Sequence, residues 1–341
     1  MKEFGSDFHF IPLHACRGKA IVDYYPDAVY YADGRQALID LYKQCGWYRL
    51  WVPEYFCYDV LSTLKQNGIQ LSYYQDYPLA DEHATLLSLP FEEGDALLRM
   101  NYFGLRSRRS NRDIPVPVIE DHTHDLIGDW AINSDAEWCI ASLRKTLPLA
   151  EGGILWSPKG KKLQTLPVLT SENILLASKR WGAMRNKTLY LDDQIDDKQS
   201  FRNDMVLTEE QFDIMEVSAI DEESLGYIKQ LDIAQWYSLK QSNREILKGS
   251  LNCDNAIAVL EPESEGCNPF SLTLLFRTPV ERDFYRESLI HHSVYPAILW
   301  KVPENMNPEV VDFSERMLSI HCDARYSRDE MIQLGRIIAD R

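Results

Sequence analysis

VPVIEDHTHDLIGDWAINSDAEWCIASLRKTLPLAEGGILWS, residues 116–157, holds three short apolar runs, each followed by polar residues of a distinct chemical kind. Val116-Pro117-Val118-Ile119 reads as a buried strand, with the carboxylates of Glu120 and Asp121 at its end. Trp138-Cys139-Ile140-Ala141 is a second run and leads into Ser142-Leu143-Arg144-Lys145. Gly152 and Gly153 then turn the chain into Ile154-Leu155-Trp156. Open α/β sheets bind ligands at the carboxyl ends of their strands. An acid at one strand end and a lysine at a nearby one therefore form a two-part candidate site.

The composition around that stretch narrows the classes. The chain has 341 residues, 45% hydrophobic and 26% charged, which is an ordinary globular mix with material for a sizeable core. The length suggests a large domain with a smaller one appended. A formal net charge of −16 argues against a nucleic-acid partner or an anionic membrane surface. No apolar stretch reaches transmembrane length. Seven cysteines, scattered and without a CxxC, suggest buried thiols in a reducing compartment rather than a disulfide framework or a zinc ribbon. The N-terminus lacks the long apolar core of a signal peptide. A cytoplasmic location is expected.

Working outward, Gln36-Ala37-Leu38-Ile39-Asp40-Leu41-Tyr42 has helical spacing and follows Asp33-Gly34-Arg35, with Asp33 or Gly34 as cap. Such a helix start presents free backbone N–H groups to an anion. A short strand is expected at Phe8–Leu13, others at Leu50–Pro53, Ile69–Tyr74 and Gly94–Gly104, and a helix at Asp59–Asn67. Alternation of strand and helix up to residue 156 points to a mostly parallel sheet flanked by helices. Beyond it, Ser171–Asn186 reads as a helix with a basic cluster, and Glu209–Leu247 as a long helical link. Phe270–Phe276 and Met317–His321 read as strands, and Glu281–His291 and Arg328–Ile338 as helices. The expected division is a large α/β domain over 15–225 and a small α+β domain over 226–341.

Each candidate has a plain alternative. Most lysines are solvated. Lys145, held at a strand end against apolar neighbours, can instead have a lowered pKa and act as a Schiff-base nucleophile. Asp121 can be a structural cap, or can face a pyridinium nitrogen and keep it protonated. His122 and His124 share a face in extended chain, but no further Cys/His pair lies close in sequence, and a metal site is the weaker reading. A histidine here can instead stack on an aromatic cofactor. Tyr55, Phe56 and Tyr58 read as core, or as a wall for a ring.

Taken in order, Gly34-Arg35-Gln36-Ala37-Leu38, Val52-Pro53-Glu54-Tyr55-Phe56, Glu120-Asp121-His122-Thr123-His124, and Ser142-Leu143-Arg144-Lys145 with Glu151-Gly152-Gly153 resemble fold-type-I pyridoxal-phosphate (PLP) enzymes of the aspartate aminotransferase superfamily. The nearest subgroup is the DegT/DnrJ-type sugar aminotransferases. The resemblance implies that Lys145 carries the cofactor and that Asp121 pairs with its pyridine nitrogen. It further implies that Gly34, Arg35 and Ser142 hold its phosphate and that Tyr55, Phe56 and His124 border its ring. Ser142 stands three residues before Lys145, whereas the sugar enzymes place a serine five before, where this chain has Ile140.

The expected activity is transamination between a small-molecule amino donor and a keto acceptor, a keto nucleotide sugar in polysaccharide biosynthesis being the leading acceptor. Another PLP-dependent reaction (lyase, racemase or decarboxylase) would use the same lysine and acid, and a non-catalytic binding protein on the same fold is the remaining alternative. Arg325 is the candidate clamp for the donor carboxylate. A homodimer with shared sites is expected, and the resemblance implies that Asn186 or Arg185 reaches the neighbouring subunit's phosphate. No metal is called for.

Overall fold

In the computed structural model, the described residues are 3–13, 18–212, 214–251 and 257–339. Cys16, Cys253 and the expected domain start at residue 15 lie outside them. The remaining cysteines, 45, 57, 139, 267 and 322, are free thiols. No helix among the described residues is long and apolar enough to cross a membrane.

In chain order the first half holds β1 (Phe4–Gly5), α1 (Ile21–Tyr24), β2 (Val29–Tyr31), α2 (Gly34–Cys45), β3 (Arg49–Pro53), α3 (Tyr58–Gln66), β4 (Leu71–Tyr74), α4 (Glu82–Ser88), β5 (Asp95–Met100), β6 (Val118–Asp121), α5 (Asp129–Ile132), β7 (Trp138–Ser142), α6 (Leu143–Thr146) and β8 (Gly153–Trp156). The second half holds α7 (Ser171–Leu191), α8 (Lys198–Phe212), α9 (Glu222–Ile228), α10 (Ile233–Ser250), β9 (Ile257–Val259), β10 (Leu272–Phe276), α11 (Pro279–His291), β11 (Val294–Tyr295), α12 (Pro308–Arg316), β12 (Met317–Ile320) and α13 (Arg328–Ala339).

Seven strands form one sheet in the order β2-β8-β7-β6-β5-β3-β4. β3 to β7 run parallel, and β8 is antiparallel to both β7 and β2. Its central strands are apolar on both faces, as a sheet covered on both sides requires. Leu97, Val118, Cys139 and Ile154 pack into one core, while Leu98, Ile119, Ile140 and Leu155 pack into the other. A smaller antiparallel sheet, β12-β10-β9, lies under α10, α11 and α13 around a third core of Leu272, Leu274, Leu318 and Leu334. This is a mixed α/β fold with a mostly parallel central sheet flanked by helices, as the strand alternation implies.

Two expectations change. Phe8–Leu13 forms no strand. The segment has no ladder partner beyond the Phe10 N–H to the Met184 carbonyl at 3.0 Å, and it packs its side chains on the core beside α7. The first paired residues are instead Phe4 and Gly5, parallel to β11. The long helical stretch Glu209–Leu247 is three helices, α8, α9 and α10. Asp221 and Asp232 interrupt it, each accepting the backbone N–H groups of a new first turn.

Candidate active site

At the C-terminal edge of the large sheet the chain gathers Asp33, Gly34, Arg35, Phe56, Asp121, His124, Ser142 and Lys145 around one cavity of about 160 Å³. α2 starts there because the Asp33 side chain accepts the Gln36 N–H at 2.8 Å, an N-cap. A Cβ on Gly34 would lie 3.1 Å from the backbone nitrogen of Ser142, so glycine lets the helix start sit tightly against the end of β7. Gly153 does the same from β8: a Cβ there would lie 2.2 Å from the Asp33 carbonyl oxygen.

The acid and the lysine belong to neighbouring strand ends joined through Thr123. Its hydroxyl accepts the Ser142 N–H at 2.9 Å, and its carbonyl accepts the Thr146 hydroxyl at 2.8 Å. The Thr123 N–H donates to Asp121 Oδ1 at 2.8 Å. Burial raises the pKa of Asp121, against the opposing pull of the bonds from Thr123. Lys145 sits in the single turn α6, its side chain 46% exposed and its Nζ 3.5 Å from Glu209 Oε1. Enclosure in the cleft, with Arg144 beside it, lowers its pKa, while Glu209 pulls the other way. A lysine so tuned offers a neutral amine more readily than a surface lysine does.

His124 closes one side as a neutral ring. Its Nδ1 accepts the Phe103 N–H at 3.0 Å, and burial together with Lys240 and Lys145 lowers its pKa to about 3. The ring stacks on Trp300 at 5.4 Å and 19°, and on Phe103 at 5.5 Å and 27°. Phe56 and Trp300 complete the apolar wall.

Three sequence candidates stand apart from this cavity. Tyr55 is fully buried in the core rather than at the cavity wall, with its hydroxyl donating to the Leu299 carbonyl. The local spacing could not show which of two adjacent aromatics turns inward, and Phe56 is the one at the wall. Asn186, on α7, lies outside the cavity of its own chain. Arg325 borders a second cavity of about 290 Å³ that shares Arg144 and Lys145 with the first. Its guanidinium is already bound to Asp323 at 2.8 and 2.9 Å and donates to the Ser6 and Asp7 carbonyls, each at 3.1 Å.

Sequence reading missed Glu209. Its carboxylate receives both terminal nitrogens of Arg144, at 2.6 and 2.7 Å, and lies 3.3 Å from Arg180 and 3.9 Å from Arg35. Burial opposes ionisation, but Arg144, Lys145 and Arg180 outweigh it and hold the carboxyl far below the usual range. Nothing near Glu209 in sequence signals this, because its partners lie on other elements.

These residues fit a pyridoxal-phosphate group. A helix start and guanidinium groups suit the phosphate, Asp121 suits a pyridinium, Lys145 an aldehyde, and the aromatic wall a planar ring.

Solved structures share the architecture over nearly the whole chain. Spr1654 from Streptococcus pneumoniae, solved in its PLP form, superposes with a TM-score of 0.64 at 12% identity, covering 99% of both chains. Helicobacter pylori PseC, an aminotransferase involved in the biosynthesis of pseudoaminic acid, gives 0.64 at 13% identity, again covering 99% of both chains. DesI, crystallised in the presence of its TDP-sugar product, gives 0.62 at 12% identity over 99% of this chain and 93% of its own. The chain therefore has the fold-type-I architecture of the sugar aminotransferases. No family profile and no curated protein sequence matches it.

Proposed function

We propose that the protein is a pyridoxal-phosphate-dependent aminotransferase acting on a keto nucleotide sugar. The observation that carries this reading is the placement of Asp121 and Lys145 on adjacent strand ends, facing one cavity with the start of α2. The structural neighbours support the choice of acceptor, since they include a PLP form, an aminotransferase of pseudoaminic acid biosynthesis and an enzyme with its TDP-sugar product.

In this reading Gly34, Arg35 and Ser142 would hold the cofactor phosphate, Asp121 would face the ring nitrogen, and Phe56, His124 and Trp300 would bound the ring. When bound, the cofactor supplies an electron sink for the bond broken at the donor's Cα. With the cofactor bound, Lys145 would hold it, and its amine, once freed by the incoming donor, would move a proton at the donor's Cα. Its lowered pKa supports that shuttle. His124, neutral with its Nδ1 occupied, shapes the wall and moves no proton.

The reading extends to a large domain over 15–225 and a small one over 226–341, a cytoplasmic homodimer sharing its sites through Asn186, and a role in polysaccharide biosynthesis. The purified protein with pyridoxal phosphate should be yellow, and borohydride reduction with peptide mapping should fix the label on Lys145. Glutamate or glutamine should bleach the colour with release of the keto acid, and a keto nucleotide sugar should restore it. If no amino acid bleaches it, transamination is the wrong chemistry; if the label falls on another lysine, the site is wrong.

A further inference from the structure

Beside Lys145, three arginines from three elements converge on one glutamate. Arg35 comes from the first turn of α2, Arg144 from α6 and Arg180 from α7, and Glu209 reaches them from the last turn of α8. Each cation also has a contact other than that glutamate. Arg144 and Arg180 stack on the buried ring of Phe212 at 5.2 and 5.9 Å. Arg180 also donates to the Thr208 hydroxyl at 2.9 Å and the Met205 carbonyl at 3.2 Å. Arg35 pairs with Asp33 at 3.2 Å. The side chains of Arg144 and Arg180 are 4% and 6% exposed, whereas that of Glu209 is 37% exposed and borders the cavity. The rigid partners are the cations, and the carboxylate is the one able to leave.

We propose that Arg35, Arg144 and Arg180 form a phosphate-monoester cradle in which the Glu209 carboxylate serves as a resident surrogate that exchanges with the incoming phosphate. Charge supports the exchange. Glu209 is the carboxylate that Arg144 and Arg180 share, Asp7 reaching Arg180 alone at 3.4 Å, and a phosphate dianion in place of Glu209 matches both arginines. Geometry supports it too, because two terminal guanidinium nitrogens already hold a planar pair of oxygens in the fork that phosphate uses. The site abuts Gly34 and Ser142, so the ligand it fits is the cofactor's phosphate rather than a donor carboxylate. The inference rests on the cofactor reading but is tested apart from it.

The probe is inorganic phosphate, titrated calorimetrically into the full-length protein and its Glu209→Gln and Glu209→Asp variants. Removing a tethered competitor should tighten phosphate binding about tenfold or more in Glu209→Gln. In Glu209→Asp, one methylene shorter, the gain should be smaller. Phosphate should also raise the melting temperature of Glu209→Gln more than that of the parent, a readout that survives modest destabilisation. Arg144→Gln should abolish the gain when combined with Glu209→Gln. Unchanged or weaker phosphate binding in both Glu209 variants would overturn the exchange and make Glu209 a fixed orienter of Arg144. If Glu209→Gln gains phosphate affinity but no variant takes up pyridoxal phosphate, the exchange stands and the cofactor reading fails. If pyridoxal phosphate attaches to Lys145 with the same affinity in parent and variants, the reverse holds. Loading with pyridoxal phosphate should block inorganic phosphate. If phosphate still binds after loading and uridine diphosphate displaces it, the cradle serves the nucleotide substrate, and its assignment to the cofactor is overturned.

Discussion

Two arginine clusters flank the large sheet, and they treat their acids differently. In the first, Arg106 grips Asp76 at 2.6 and 2.9 Å, and Arg99 grips Glu82, with all four side chains no more than 3% exposed. Burial works against Glu82, yet Arg99 and Arg106 hold its carboxyl below the usual range. Burial lifts the pKa of the Asp76 carboxyl to about 7 against the pull of Arg106, and Arg109, 26% exposed, lies 3.7 Å from Glu82 at the rim, while the two acids themselves are wholly enclosed. In the second cluster Arg144 and Arg180 are equally buried, but Glu209 is 37% exposed and Lys145 is 46% exposed. A closed set of charges holds a fold together; a set with one solvent-facing member can exchange that member for a ligand. Substitutions in the two clusters should therefore be felt in different measurements.

The largest effect belongs to the open cluster. Lys145→Ala should lower kcat/KM by on the order of 10⁴-fold or more, as losing a covalent nucleophile does, with no borohydride-fixed label and an unchanged urea midpoint. A midpoint shift comparable to that of a core substitution would instead place Lys145 among the structural residues. Next comes the closed cluster. Arg106→Leu leaves Asp76 and Glu82 buried with a lost partner, which should cost about 3–5 kcal/mol in urea unfolding. A loss well under 1 kcal/mol would mean that the acids there are protonated and that the cluster is not held by charge.

How far these clusters could be read from sequence follows from the range of their contacts. The strands ending in Asp121 and Ser142 were legible because buried parallel strands are continuous apolar runs. The Asp33 cap was legible because its bond spans three residues. Glu209 bonds Arg144 across 65 residues and lies in a helix where one more acid looks solvated, so no local pattern marks it. Arg106 and Asp76 meet 30 residues apart through the chain's path across the sheet, again without a local signature. Tyr55 is the core member of its aromatic pair, a choice left open in sequence because an aromatic pair after a strand-ending proline does not reveal which ring turns inward. Phe8–Leu13 has a strand's composition but no neighbouring edge to pair with.

A third test separates two adjacent carboxylates of β6. Glu120 is satisfied on the face away from the site by the Asn111 side-chain amide and the Ser134 hydroxyl, each at 2.6 Å, and by His122 at 3.2 Å. Asp121 borders the cavity instead. Asp121→Asn should keep cofactor binding but reduce kcat on the order of 10²-fold, a loss similar to that of a positioned proton-transfer group, with KM little changed. Glu120→Gln should shift stability rather than kcat. If the two variants show the same kcat, the face assignment of β6 is wrong.

The smallest effect concerns a cation that belongs to neither cluster. Lys240 is 2% exposed and its Nζ has no hydrogen-bond partner among the described residues; it lies 4.0 Å from the centre of the Tyr237 ring. Burial lowers its pKa from 10.5 to about 8, with Asp125 pulling the other way. The unfolded chain thus binds this proton more tightly than the folded one, so stability rises with pH between about 8 and 10.5 and the penalty is full below about 8. Lys240→Met keeps the length of the side chain and removes the charge, and should stabilise the protein by about 1–2 kcal/mol at pH 7, as buried charges replaced by apolar groups do. The gain should shrink as pH is raised from 8 toward 10, because the parent loses its penalty there and the variant has none to lose. Urea unfolding at pH 7 and pH 9.5 reads both. A gain equal at the two pH values would come from packing and not from charge. A loss at pH 7 would show that Asp125 and the Tyr237 ring stabilise the ammonium by more than its burial costs, making Lys240 a closed-cluster cation like Arg106.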